Sequence, residues 1–281
     1  MAISLLHAGF TVRGVDANVQ RVADLAQAGL TPAATPADAV RDADILVISV
    51  VDAAQTQAVL FGPDGAGEAL AAGAVVIATS TVPPLFIETL EAQLREREIL
   101  LIDAPVSGGS AKAATGDLSI MASGDPQAFL TAAGALEAIA AKVYRLGDRA
   151  GIGSRMKSVN QLLAGVHIAA ACEAITYALR LGVNASEAYD VITHSAGNSW
   201  MFENRIPHVL ENDYTPRSAI NIFVKDLGIV LDAGRAEKFP LPLTAAAHQL
   251  FLAAAGMGFG RDDDASIARV FAALAQLDLP H

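Results

Sequence analysis

One cysteine in 281 residues, Cys172, is the first scarcity of this chain. A lone thiol excludes an internal disulfide and every multi-cysteine metal site. It stands in the small apolar run "HIAAACEAI", which reads as a packed core thiol rather than a reactive one. Charge is scarce as well: 17% of residues are charged against 53% hydrophobic, the mean hydropathy is +0.40, and the net charge is -11. No Lys/Arg cluster offsets that acidity, so neither nucleic acid nor an anionic membrane surface is expected as a partner. Long uncharged apolar runs are missing too. The nearest candidate for a membrane span, 161–172, is too short and contains His167. With no signal-peptide pattern at Met1, the chain reads as cytoplasmic.

What is present is a change of pattern halfway along a chain long enough for two domains. The opening "MAISLLHAGFTVRGVD" predicts a helix over 1–7, a stop at Ala8-Gly9 and a strand over 10–15 that ends in Asp16. To about Leu146, short β-branched runs ("TVRGVD", "ILVISV", "AVVIA", "ILLIDA", "VYRLG") alternate with helical stretches such as "NVQRVADLAQAG" and "PLFIETLEAQLRERE". That alternation predicts a mainly parallel sheet covered by helices. Past Gly151 it stops, and helical composition runs to the C-terminus. The division expected is therefore residues 1–150 as a dinucleotide-binding domain and 151–281 as an all-helical substrate and dimerisation domain. Its first helix is about thirty residues long and apolar, about 45 Å at 1.5 Å per residue, and needs a partner on more than one side. A homodimer or homotetramer through the helical half is expected.

Several residues carry chemistry. Asp16 at a strand end can accept hydrogen bonds from the adenosine ribose and repel a 2′-phosphate, which favours NAD over NADP; it can equally be an acid in a turn. Val51, Asp52 and Thr81 fall at two further strand ends, on the cofactor edge of such a sheet. Thr81 could also cap the helix that "STVPP" introduces. In "DAPVSGGSAKAATGDLSIMASG", Ser107-Gly108-Gly109 exposes consecutive backbone N–H groups that can hold a carboxylate, or forms a plain glycine turn. In "GIGSRMKSVNQ", Lys157, Asn160 and Gln161 share a helix face at i, i+3 and i+4. A lysine beside amides can bind a hydroxyl and move its proton, but near its reference pKa only roughly 0.04% is neutral at pH 7, so burial or a cationic neighbour is required. His167 lies about 15 Å further along the helix and off that face, and reads as a core or interface histidine. Trp200, with Asn198 and Phe202, lines a substrate mouth or forms a helix-packing aromatic pair.

Taken in order, "DAPVSGG", the pattern Gly151-Gly153-Lys157-Asn160 and "FVKD" at Lys225-Asp226 resemble the 3-hydroxyisobutyrate dehydrogenase family of β-hydroxyacid dehydrogenases, over nearly the whole chain. The resemblance implies Lys157 and Asn160 as catalytic residues. It implies that Ser107, Gly108, Gly109 and Gln161 bind a small sugar-acid substrate, and that Asp16, Val51, Asp52, Thr81 and Lys225 bind NAD, with no metal. The stretches "KSVNQLLAGVHIA", "SAGNSWMFENR" and "YTPRSAINIFVKDLGIVLD" are similar to family members that oxidise the C2 hydroxyl of L-threonate to a 2-oxo acid. A tartronate semialdehyde or 3-hydroxyisobutyrate type of dehydrogenase would use the same residues. Some members carry a second Asn where this chain has Gln161. The family begins with a strand and a GxGxxG loop, neither of which precedes the helix over 1–7. The fold expected is thus α/β, a Rossmann-like doubly wound sheet N-terminally truncated by its first strand and glycine loop, followed by an all-α C-terminal domain. A non-catalytic helical dimer without a cofactor site is the reading from another class.

Overall fold

The computed structural model describes residues 1–280, and at Ser110 the backbone only. It divides into two compact units, Met1–Lys157 and Ser158–His281. The first contains α1 (Ala2–His7), β1 (Arg13–Gly14), α2 (Val19–Gln27), β2 (Thr31–Pro32), α3 (Pro36–Ala39), β3 (Ile45–Ile48), α4 (Ala53–Phe61), β4 (Val75–Ala78), α5 (Pro84–Arg95) and β5 (Leu100–Asp103). These are followed by β6 (Val106–Ser107), α6 (Gly109–Thr115), β7 (Leu118–Gly124), α7 (Pro126–Ile139), β8 (Ala140–Gly147) and the first turns of α8 (Ile152–Arg180).

The main sheet runs β3-β4-β5-β7-β6, with β8 also on β7. β3, β4 and β5 are parallel, β7 is antiparallel to β5 and β6, and β8 is parallel to β7. The sheet is therefore mainly parallel, with antiparallel pairing where β7 meets β5 and β6. The reversed strands are β7, which lies within the glycine-rich motif and is not among the strand-like runs, and β8.

β4 shows why the centre holds: Val75, Val76 and Ile77 are all fully buried. Alternation sends Val75 and Ile77 toward Phe129, Ala132 and Leu136 of α7, and Val76 and Ala78 toward Leu60 of α4 and Ile87, Leu90 and Leu94 of α5. A strand covered on both faces is apolar throughout, which is the run "AVVIA". The strand expected over 10–15 shrinks to Arg13–Gly14. Among the described residues β1 pairs only with β2, a separate parallel ladder, and a strand extends only as far as its backbone finds partners. Polar caps start the helices: Asn18 accepts from Gln20 N at 3.1 Å, Thr35 from Asp38 N at 3.1 Å and Asp125 from Gln127 N at 2.8 Å. Each cap contributes about 1 kcal/mol.

The second unit holds the rest of α8 with α9 (Ala185–Thr193), α10 (Trp200–Leu210), α11 (Ile220–Ala236), α12 (Pro242–Ala254) and α13 (Ile267–Ala275), and no strand among its described residues. Ile168, Cys172 and Ile175 of α8 pack with Phe202 and Ile206, Phe223 and Leu227, Phe251 and Ile267 in one core. Phe223 stacks on Phe251 at 5.0 Å. Gly165 allows Leu227 in, since a Cβ there would stand 2.8 Å from a leucine methyl. By length and composition α8 is apolar enough to cross a membrane, contrary to the sequence expectation, but 44% of its most apolar window is buried inside the fold. We read it as the core helix of this unit. Two buried acid-base pairs tie α10 to the segment before α13: Arg205 to Asp264 at 2.5 Å and His208 to Asp263 at 2.8 Å. Burial pushes Asp264 up to about 7, against the pull of Arg205.

Candidate active site

In the first unit several of the expected residues follow strand ends. Asp16 follows β1 by two residues; its carboxylate accepts from Asn18 N at 2.7 Å, lies 3.9 Å from Arg21 and is 42% exposed, open to a ligand hydroxyl. Val51 and Asp52 follow β3. Asp52 caps α4 by accepting from Gln55 N at 2.8 Å, and the Gln55 side chain accepts from Val51 N at 2.9 Å. The Val51 side chain is exposed. Thr81 follows β4, but the cap position of α5 falls to Pro83 and no side chain accepts there, so Thr81 is not the helix cap.

The 106–109 loop and Lys157 meet. Gly108 at φ 133 and Gly109 at φ 71 take the left-handed conformations that favour glycine, and a Cβ on Gly108 would stand 2.9 Å from Lys112 Cδ. Their backbone N–H groups fall at the start of α6, where the first amides of a helix lack intrahelical acceptors. Lys157 is 7% exposed, and its Nζ donates to Val106 O at 2.8 Å, immediately before Ser107. A buried amine thus stands beside the backbone expected to hold a carboxylate.

Asp103, to which the sequence assigned no role, anchors this arrangement from beneath. It is fully buried at the end of β5 and accepts from Gly151 N at 3.0 Å, Ser154 N at 2.8 Å, Ser154 Oγ at 2.7 Å and Ser123 Oγ at 3.4 Å. Burial raises its carboxyl above the usual range, while the Ser154, Gly151 and Ser123 donors draw it down. The only trace in the sequence was its place at the head of "DAPVSGG".

In the second unit a polar chain runs from α8 to α11. Asn160 Nδ2 donates to Gln161 Oε1 at 2.9 Å, and Gln161 Nε2 donates to the buried Asp226 Oδ2 at 2.5 Å. Asp226 Oδ1 pairs with Lys225 Nζ at 2.6 Å. Gln161 is itself buried, with both ends of its amide engaged. Trp200 and Phe202 separate. Phe202 is buried and stacks on Tyr189 at 5.9 Å, whereas Trp200 is exposed at a cavity of about 380 Å³ that it shares with Tyr189, His194 and Glu203. Asn198 bridges Thr193 O at 3.1 Å and Glu203 Oε1 at 2.5 Å. His167 is half-buried on α8, and Cys172 is fully buried, its thiol pushed up by burial. No cluster of three or more metal-ligating side chains occurs among the described residues.

Residues 1–147 match the model of the NAD-binding domain of 6-phosphogluconate dehydrogenase, and residues 151–271 match that of the NAD-binding region of NADP-dependent 3-hydroxyisobutyrate dehydrogenase. An L-threonate dehydrogenase of Cupriavidus necator is 54% identical over 271 residues, covering 96% of this chain and 91% of that protein. One of Escherichia coli is 45% identical over 277 residues, covering 97% and 91%. A crystal structure of a 3-hydroxyisobutyrate dehydrogenase from Salmonella typhimurium superimposes with a TM-score of 0.92 at 46% identity, covering 96% of this chain and 94% of that one. Matched by both models and by relatives of 45% to 54% identity over nearly its whole length, this protein is a member of the 3-hydroxyisobutyrate dehydrogenase family of NAD(P)-dependent oxidoreductases.

Proposed function

We propose that the chain oxidises the C2 hydroxyl of L-threonate to the 2-oxo acid with NAD. The observation that carries the chemistry is the buried Lys157 ammonium group 2.8 Å from Val106 O, one residue before the Ser107-Gly108-Gly109 turn. The substrate class rests on the L-threonate dehydrogenases that match 96% and 97% of the chain. In this reading the 107–109 backbone and the Ser107 hydroxyl bind the substrate carboxylate. In its neutral amine form, Lys157 takes the C2 hydroxyl proton as general base and becomes the ammonium, a role that contributes about 10²- to 10⁴-fold in rate. Asn160 orients the hydroxyl. Gln161, committed to Asn160 and Asp226, supports Asn160 from behind and sets which way its amide faces.

In this reading the exposed Asp16 carboxylate meets ribose hydroxyls, and Val51, Asp52 and Thr81 line the nicotinamide half. When bound, the nicotinamide supplies the hydride acceptor, and no metal is required.

The protein works in the cytoplasm as a homodimer or homotetramer in this reading. Supporting the assembly, Val159, Leu163, Tyr177 and Leu181 form an exposed apolar stripe along α8 and its end, which light scattering of the purified protein tests. For the substrate, initial rates of nicotinamide reduction are measured on four-carbon and three-carbon hydroxy acids. L-threonate is expected to give the highest kcat/KM, and a preference for a three-carbon acid would reject it.

A further inference from the structure

We infer that Asp103 is a positioning residue for Lys157, setting the register between the amine and the carboxylate-binding loop through the first turn of α8. The inference rests on the general-base reading of Lys157. The first amides of a helix have no partner within it, and are normally met by a local capping side chain. Here the acceptors come from strand ends instead. Asp103 on β5 takes the N–H groups of Gly151 and Ser154 and the Ser154 hydroxyl, and Ser123 on β7 takes Gly153 N at 2.9 Å. Two acids on α5 complete the clamp: Glu91 accepts from Ala150 N at 3.1 Å, and Glu88 pairs with Arg155 at 2.5 Å.

The approach is as close as backbone permits, because a Cβ at residue 153 would stand 2.4 Å from Met121 O and 2.8 Å from Asp103 O. Lys157 is three residues beyond Ser154, on the same helix face, and Val106 is three residues beyond Asp103. The segment 103–106 therefore meets α8 twice, once through the Asp103 carboxylate and once through Val106 O and the Lys157 ammonium group. Loop and lysine are held to one short piece of chain. A displacement of about 1 Å in such a pair costs about 10²-fold in rate.

The test compares Asp103→Asn, Ser154→Ala, Lys157→Ala and the double variant Lys157→Ala/Asp103→Asn in the full chain, reading kcat, KM for L-threonate and NADH affinity. Asp103→Asn turns one acceptor into an NH₂ that faces the amides of the first turn. It is expected to lower kcat about 10²-fold while NADH affinity stays within about twofold. Ser154→Ala removes only the shortest of the four bonds, so it serves if the asparagine variant does not fold; a fall of about tenfold is expected. In the Lys157→Ala background, Asp103→Asn is expected to change residual turnover by less than about twofold, because a residue acting through the lysine has nothing left to position. Unchanged kcat in the folded Asp103 or Ser154 variants, or losses that multiply in the double variant, would overturn the positioning role. Lys157→Ala retaining full turnover would instead overturn the general-base reading on which it rests.

Discussion

Lys157 shows how much a single side chain owes to its surroundings. By composition it is one cation among 19 lysines and arginines; what distinguishes it is burial and a carbonyl 2.8 Å from its nitrogen, next to the turn expected to hold a carboxylate. Lys157→Ala is expected to lower kcat by about 10²- to 10⁴-fold with NADH affinity almost unchanged, measured by steady-state kinetics and fluorescence titration. Retention of more than about a third of kcat would remove the lysine from the chemistry. Asp16 poses a charge question. Its carboxylate repels a 2′-phosphate, while Arg21, 3.9 Å away and well exposed, would attract one. Asp16→Ser leaves only the attraction, so the ratio of kcat/KM for NAD to that for NADP is expected to fall or reverse. An unchanged ratio would mean that Asp16 does not face the ribose.

α8 carries its own contradiction at its start. Glycine inside a helix costs about 1 kcal/mol relative to alanine, so propensity alone favours Gly153→Ala. The added Cβ would stand 2.4 Å from Met121 O and 2.8 Å from Asp103 O, both backbone atoms with no rotamer to change. Overpacking of that kind costs about 1 to 3 kcal/mol, so the clash outweighs the propensity gain. Gly153→Ala is expected to lower both Tm and kcat. Gly228→Ala in α11, where a Cβ meets nothing within 4 Å, is expected to raise Tm instead. Thermal melts of the two variants side by side separate packing from propensity. A rise in Tm for both would show that the first turn of α8 can move away from β5.

Across the whole chain, stability should depend on pH through acids that folding hides from water. The unfolded Asp264 carboxyl titrates near 3.8 and the folded one is pushed up to about 7 by burial. Between those values the folded state holds a proton that the unfolded state has lost, so stability is greatest at the acidic end of the window and declines as pH rises toward 7. Asp103, also raised by burial, acts in the same direction. Urea midpoints are expected to be higher at pH 5 than at pH 7.5, and Asp264→Asn is expected to flatten the difference. A midpoint that rises over this interval in the unaltered chain would contradict the assignment.

Periodicity and spacing carried the larger outlines. β4 and β5 could be read directly because a strand buried on both faces must be apolar along its length, and "AVVIA" and "ILLID" have no other easy place. α8 could be read because thirty residues without a strand-like run, between glycines, have one regular conformation open to them. Lys157, Asn160 and Gln161 were legible as one face since helix geometry converts i, i+3 and i+4 into neighbours. What could not be read is whatever depends on partners distant along the chain. β1 is two residues long because its ladder is limited to β2, and β7 is a strand because β5, β6 and β8 offer it hydrogen bonds, although its residues follow a glycine turn. Asp103 looks like any strand-end acid until Gly151 and Ser154, 48 and 51 residues away, bring it their N–H groups. Nothing local announces that the Gln161 amide donates to Asp226, 65 residues away. Local pattern is set by backbone geometry, which every residue carries with it; a hydrogen-bond partner across the fold is set only when packing brings the two groups together.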